Sequence, residues 1–385
     1  MHLFRRGTSS LFNSSNVSLA SSKSDATTDA VGDNGLAQEG FKSVPDSDKL
    51  FVKPDPAVDG EDCLHDCATC TVKYPAKFDV DLEDKLYGQV SGWSTHMLVA
   101  TGKSDWVRDV ADETGSVMEA IEKGGIEPSN GVSRNPPFPP PKTESEAHLA
   151  FSQRLKLSAS NMPVPDEYHM HEAGKQPTNV LILPSFTVVE NVTPQLAPDL
   201  IERFVNRSLT TTTPLGGQPE PSKPTEAEEK SPHPANTSIT PPLQSHPCLH
   251  AAVILLCSQR TRDARCGQSA PLLRREFERH LRPLGLYRDM DDTRPGGVGI
   301  YFISHVGGHK YSANVIVYRR RDFEWYKREE AETNDEGATQ GIWLARVRPE
   351  ECENIIRYTV LQGKVLKPQQ QLRGGFDRER GLTSW

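Results

Sequence analysis

The sequence predicts an α/β protein of two thioredoxin-like domains joined by a disordered linker, with a disordered N-terminal segment. Three observations carry this. Apolar runs of strand character alternate with stripes of helical spacing in two separate blocks of the chain. Between the blocks, residues 208–247 are rich in Thr, Pro, Ser and Glu and almost free of aromatics. Only 35% of the 385 residues are hydrophobic, beside 30 prolines and 28 glycines, which is too lean for one continuous core.

Residues 1–60 read as a transit-like and disordered segment. Arg5, Arg6 and Lys23 stand among serines with no acid before Asp25, and Leu3, Phe4, Leu11 and Phe12 fall on one face of a short helix. That composition suits a mitochondrial transit peptide, although a Ser-rich tail has the same composition. The first domain spans 61–207. His96 to Ala100 reads as a buried strand and 105–123 as a helix interrupted near Gly115. A Pro-rich insertion at about 124–178 follows, holding at most a short helix near 145–156. Asn179 to Leu183 is a second strand, and Leu200, Ile201, Phe204 and Val205 form the stripe of a short amphipathic helix behind Pro198.

The linker runs over 208–247 and the second domain over 248–367. Ala251 to Leu256 is a strand that delivers Cys257 at its end. Ser269 suits a helix cap and Pro271 its first turn, with Leu273, Phe277, Leu281 and Leu284 inward. Val298 to Ile303 runs into His305, and Tyr311 to Tyr318 runs back, a pattern of two strands with a tight bend between them. Ile342 to Val347 is a further strand, and a helix from Pro349 ends at Gly363. Residues 368–385 are expected to be a flexible tail. Strand, helix, strands, helix is the order of a small thioredoxin-like domain, and the first block carries a shorter version of it.

A formal charge of −8 argues against a general nucleic-acid binder. No run of about 18 apolar residues predicts a membrane span. Seven cysteines without a secretory signal read as reduced or metal-bound thiols. Four residues near the end of the chain stand out. Cys257 and Cys266 are separated by eight residues, and His305 and His309 by a Val-Gly-Gly bend. Two thiols and two imidazoles suit zinc or an iron–sulfur cluster. Cys-x8-Cys is too wide for a zinc-finger knuckle, and no Cys-x2-His supports a Rieske centre. Spacing therefore leaves open an iron–sulfur site, a zinc site, or a core thiol with turn histidines. Cys63, Cys67 and Cys70 form a second group whose Cys-x2-Cys spacing also suits thiol exchange or a metal. Arg260, Arg262, Arg265 and Lys310 surround the first group, either as a basic rim for an acidic redox partner or as a solvated loop.

Cys257…Arg262-Asp-Ala-Arg-Cys266-Gly, His305-Val-Gly-Gly-His309-Lys-Tyr-Ser-Ala-Asn and Gly341-Ile-Trp343 together resemble the sucrase/ferredoxin-like family. Leu86-Tyr-Gly, Ala100-Thr-Gly-Lys-Ser-Asp-Trp106 and the Cys67-x2-Cys70 segment extend the likeness into the first block. The resemblance implies a thioredoxin-like ferredoxin whose 2Fe–2S cluster is held by Cys257, Cys266, His305 and His309. It also implies an electron-transfer protein of mitochondria, most readily the matrix, or alternatively the cytosol, rather than a catalyst. Two ferric ions, two sulfides and two thiolates sum to a charge of about zero, which raises the potential above that of an all-thiolate site. Protein redox partners and the iron–sulfur assembly machinery are the implied partners. The terminal Trp385 resembles a tail recognised by that machinery, with Thr383 where an aliphatic residue is preferred; otherwise it packs on its own domain. The alternatives are a structural zinc module for protein interaction, and a thiol oxidoreductase using Cys67 and Cys70.

Overall fold

The computed structural model describes residues 41–123, 155–170, 176–217, 243–328 and 335–385. The transit-like stretch, most of the Pro-rich insertion and most of the linker lie outside the described residues. Among those described, thirteen strands join in one mixed sheet. Nine of them carry the architecture: β1 (Thr95–Ala100), β2 (Leu155–Ser160), β3 (Thr178–Leu183), β4 (Thr187–Val192), β5 (Ala252–Cys257), β6 (Val298–Ile303), β7 (Val315–Arg319), β8 (Gln340–Leu344) and β9 (Leu372–Asp377).

The two blocks repeat one pairing order. In the first, β1 is parallel to β2 and antiparallel to β3, which is antiparallel to β4. In the second, β5 is parallel to β6 and antiparallel to β7, which is antiparallel to β8. The blocks meet where β2 pairs antiparallel with β6 at Ser160 and Ile303. Asn161 knits the seam: its backbone N–H donates to Phe302 O at 3.1 Å, and Phe302 N–H donates to its side-chain oxygen at 2.7 Å. β9 extends the sheet beyond β8.

The sheet folds back on itself. Along it, β1 and β7 are four strand spacings apart, about 19 Å if it were flat. Yet His96 Nδ1 on β1 is 3.0 Å from the Tyr318 hydroxyl on β7. Alternation along β5 shows what fills the fold. Ala252, Ile254 and Leu256 pack with Leu273, Phe277 and Leu281 of helix α3 (Ala264–Leu281). Val253, Leu255 and Cys257 face a second core shared with Leu98, Leu181 and Leu183 of the first block. A strand buried on both faces needs the unbroken apolar run Ala252-Val-Ile-Leu-Leu. A third core packs β1 and β3 against helix α1 (Val117–Lys123) and helix α2 (Ala197–Leu200), which continues as a π-turn over Ile201–Val205. In the second block, helix α4 (Cys352–Asn354) likewise continues as a π-turn over Ile355–Val360. The two predicted blocks thus share one sheet and one core rather than hanging on a linker.

Several local expectations are corrected. Leu155–Ser160 is a strand, not insertion or helix, because Leu155, Leu157 and Ala159 alternate with polar residues and fill the first block's core. Of the expected 105–123 helix only α1 forms, with a single 3-10 turn at Val110–Asp112; Gly115 at φ +76° separates them. Helix α3 starts at Ala264, not near Ser269. Asp263 caps it by accepting from Arg265 N–H at 2.9 Å, and Pro271 lies inside. Segment 41–60 is anchored by buried Leu50 and Phe51. The expected flexible tail is β9 followed by a short strand, Leu382–Thr383, that pairs with Lys42–Ser43. Its Leu372 and Phe376 are apolar and fully buried, which holds it in the sheet. Finally, β6 and β7 are not neighbours, since β5 lies between them.

Candidate metal centre

That last correction builds the site. A chain leaving β6 must cross the end of β5 to reach β7, and the end of β5 is Cys257. The 304–314 connection therefore carries His305 over Cys257. The other route out of β5, residues 258–263, turns at once into α3, whose first turn holds Cys266. The two sulfurs are 3.3 Å apart, and His305 Nδ1 is 3.8 Å from Cys257 Sγ. Both cysteines are buried, free thiols, and His305 is half-buried. A tetrahedral metal with bonds of about 2.3 Å to sulfur spaces two thiolates about 3.8 Å apart. The observed spacings lie within about half an ångström of that, so Cys257, Cys266 and His305 fit as donors to one centre. His309 opens the next turn, His309–Tyr311; its side chain lies outside the described residues.

Electrostatics favour a thiolate here. The Cys257 thiol is brought down to about 5, because the Cys266 S–H donates to its sulfur and the His305 ring lies beside it, against the effect of burial. Cys266 is pushed up by giving that hydrogen bond and by burial. Ionisation of the pair is therefore favoured at Cys257 over Cys266.

Residues far away in sequence hold the donors in place. Gln259 is 1% exposed, and its oxygen accepts from His305 N–H at 2.8 Å while its amide donates to Val107 O at 2.5 Å. Asp105 accepts from Thr261 through the hydroxyl at 2.8 Å and the backbone N–H at 3.1 Å. Ser258 donates to Ser104 O at 2.8 Å. The first block's 104–108 loop thereby clamps the loop between the two cysteines. On the other side, buried Arg373 of β9 donates to Gly307 O at 3.1 Å, Asn314 Oδ1 at 2.8 Å and Gln89 O at 2.8 Å. Its guanidinium lies 4.3 Å from the Trp343 ring centroid. Burial pulls Arg373 down only to about 10, so it stays charged at neutral pH. A second cation, Lys156, stands between Trp93 and Trp343 at 5.3 and 4.9 Å; burial, then Arg373, brings it to about 8.

The predicted basic rim divides. Arg260 and Arg262 are exposed. Arg265 pairs with Asp263 at 3.0 Å and donates to Asp79 O at 3.2 Å, and Lys310 pairs with Asp84. The second cysteine group does not assemble as a unit. Cys63 is buried, while Cys67 and Cys70 are half-exposed and turn toward α3. Trp385 packs 4.6 Å from Trp93, centroid to centroid. Gln259 and Arg373 are the positioning residues that sequence reasoning missed. The Ala100–Trp106 motif was the one signal that pointed toward the clamp.

The sucrase/ferredoxin-like family model matches residues 86–374, three quarters of the chain. The chain belongs to the sucrase/ferredoxin-like family. The matched span takes in Cys257, Cys266, His305 and His309 and leaves out Cys63, Cys67 and Cys70. Actin patches distal protein 1 of Saccharomyces cerevisiae is 27% identical over 85% of this chain and 88% of its own length. Altered inheritance of mitochondria protein 32 is 32% identical in Clavispora lusitaniae and 34% in Debaryomyces hansenii. Those two matches cover 31% and 30% of this chain, and only about a third of each relative (34% and 33%). No solved structure matches. Among the described residues, no helix is long and apolar enough to cross a membrane.

Proposed function

We propose that this protein is a ferredoxin-like electron carrier whose 2Fe–2S cluster is held by Cys257, Cys266, His305 and His309. The convergence of Cys257, Cys266 and His305 at the end of β5 carries the reading. Two thiolates and imidazole nitrogens are a donor set that such a cluster takes, and family membership supports it. When bound, the cluster supplies a one-electron redox couple. The chain's own residues do the rest. Buried Cys257 and Cys266 exclude water from one side, while half-exposed His305 faces the surface where a redox partner would dock. Arg373 keeps a fixed positive charge behind the Gly-Gly bend. Imidazole donors beside a redox couple can pair electron transfer with proton transfer. Arg260 and Arg262 remain available for an acidic partner protein.

Each block follows the pairing order second, first, third, fourth, with helices packed on the sheet; we read both as thioredoxin-like units. The relatives named for altered inheritance of mitochondria support a mitochondrial address, with the matrix as its compartment and the iron–sulfur assembly machinery as the source of the cluster.

The test is the absorption spectrum and iron content of purified protein. The reading expects a coloured protein with two irons and two sulfides per chain, lost in Cys257→Ser and in Cys266→Ser. A colourless, zinc-loaded protein overturns it in favour of a structural zinc module. The potential should fall as pH rises through the histidine range; a flat line removes the proton from the reading.

A further inference from the structure

A second set of ligand-type side chains converges on the opposite end of α3. Cys67, His280 and Glu353 bring a thiol sulfur, a ring nitrogen and a carboxylate oxygen within 4.8 Å of one another. They come from three elements: the 61–70 arm ahead of β1, the last turn of α3, and α4. The arm is fixed there independently of any metal. Cys67 N–H donates to Glu350 O at 2.9 Å, Asn354 donates to His65 O at 2.8 Å, and Lys367 bridges Asp66 and Glu351 at 2.8 and 2.7 Å. The backbone that carries Cys67 is therefore held at the end of α3 by the fold.

A second observation marks the point where they converge. One nitrogen of Arg279, Nη2, lies 3.4 Å from Cys67 Sγ, 3.0 Å from His280 Nε2 and 2.8 Å from Glu276 Oε2. A single cationic group sits against the Cys67 sulfur, a His280 ring nitrogen and the Glu276 carboxylate at once. Its side chain is 40% exposed, so it can swing into solvent, whereas Glu276 is 2% exposed and cannot. Glu276 Oε2 also accepts from Cys70 Sγ at 3.5 Å, so a second thiol faces the same pocket.

We propose that Cys67, His280 and Glu353 bind a zinc ion that clasps the 61–70 arm onto the C-terminal end of α3. One thiolate, one imidazole and one carboxylate form a borderline donor set that suits zinc better than magnesium or calcium, which want oxygens alone. Cys70 or water takes the fourth position. Zinc entry displaces the Arg279 guanidinium from between Cys67 Sγ and His280 Nε2. The site is separate from Cys257 and Cys266 and stands whether that centre holds iron, zinc or nothing.

The experiment uses the full chain carrying Cys257→Ser and Cys266→Ser, titrated with Co²⁺ as a spectroscopic stand-in for zinc. One equivalent should give thiolate-to-cobalt charge-transfer absorption. That absorption should vanish on adding Cys67→Ser, vanish on adding His280→Ala, and saturate at lower cobalt on adding Arg279→Ala. If the doubly substituted chain does not fold, zinc per chain is measured in the unsubstituted protein and in Cys67→Ser; the loss of one zinc is the expected result. Absence of the band in a folded Arg279→Ala chain, or equal zinc content with and without Cys67, overturns the proposal.

Discussion

At the scale of single residues, the centre depends on groups that are not its donors. Arg373 is the clearest. It satisfies two backbone carbonyls and Asn314 from inside the core, so replacing it strands the Gly307 and Gln89 carbonyls and leaves Asn314 Oδ1 with Trp343 Nε1–H as its donor. Arg373→Met should cost about 3 kcal/mol, the range expected when buried bonds to a charged group are lost. It should also weaken retention of the proposed cluster, because Gly307 and Asn314 flank the bend; chemical denaturation and iron content check the two effects. The buried histidines give a pH signature. His96 is held well below its usual value by burial, then by the charge of Lys156, and His250 is brought to about 4 by burial, then by Arg288. In the unfolded chain both titrate near 6.5. Below that pH the unfolded state binds protons that the folded state refuses, so stability falls as pH drops from about 6.5 toward 4. Urea midpoints at pH 7 and pH 5 should differ, and His96→Gln should shrink the difference. An unchanged slope in that variant would show that other groups set the acid limb.

At the scale of elements, the Gly-Gly bend shows how a short motif encodes geometry. Gly308 has φ +64°, and a Cβ there would lie 2.4 Å from Arg373 Nη2. Gly307 has φ +85° but open space around it. Gly308→Ala should therefore destabilise the protein clearly more than Gly307→Ala, by strain plus displacement of Arg373, with each strain contribution about 1–3 kcal/mol. Thermal melts of the two variants compare them directly, and equal losses would mean that Arg373 yields freely. Much of this scale was legible in the sequence. β1, β3, β5, β6 and β8 follow from their apolar runs, the α2 stripe from its spacing, and the Gly363 cap from its position. What was not legible needs neighbours. The Leu155–Ser160 alternation is too short to stand out beside a Pro-rich stretch. The bend between His305 and Tyr311 looks like a hairpin until β5 is known to lie between its strands. Cys257 and His305 could be read as partners because each sits at a strand end. Gln259 and Arg373 could not, since their roles exist only once the sheet has folded over.

At the scale of the whole molecule, the seam decides how the protein unfolds. Two blocks with the same pairing order would be expected to melt separately if they were beads on a string. Here they are joined by the β2–β6 pairing, by Trp93 donating to the Tyr318 hydroxyl at 2.9 Å, and by one apolar core drawn from both. Leu98 of β1 and Leu255 of β5 belong to that core, and both are fully buried. Neither block can keep its inner face dry alone, so losing one exposes the other. The described unit should therefore unfold in a single cooperative step. Tryptophan fluorescence samples both blocks, through Trp93 and Trp106 in the first and Trp325, Trp343 and Trp385 in the second, and far-UV circular dichroism reports the sheet. The two denaturation curves should coincide. Leu98→Ala and Leu255→Ala should each move that one midpoint, by about 2–5 kcal/mol for a buried leucine cavity. Two resolved transitions, with Leu98→Ala shifting only one of them, would show that the blocks are energetically independent. The clamp from the 104–108 loop onto the Cys257–Cys266 loop would then be a contact between separate domains rather than part of one fold.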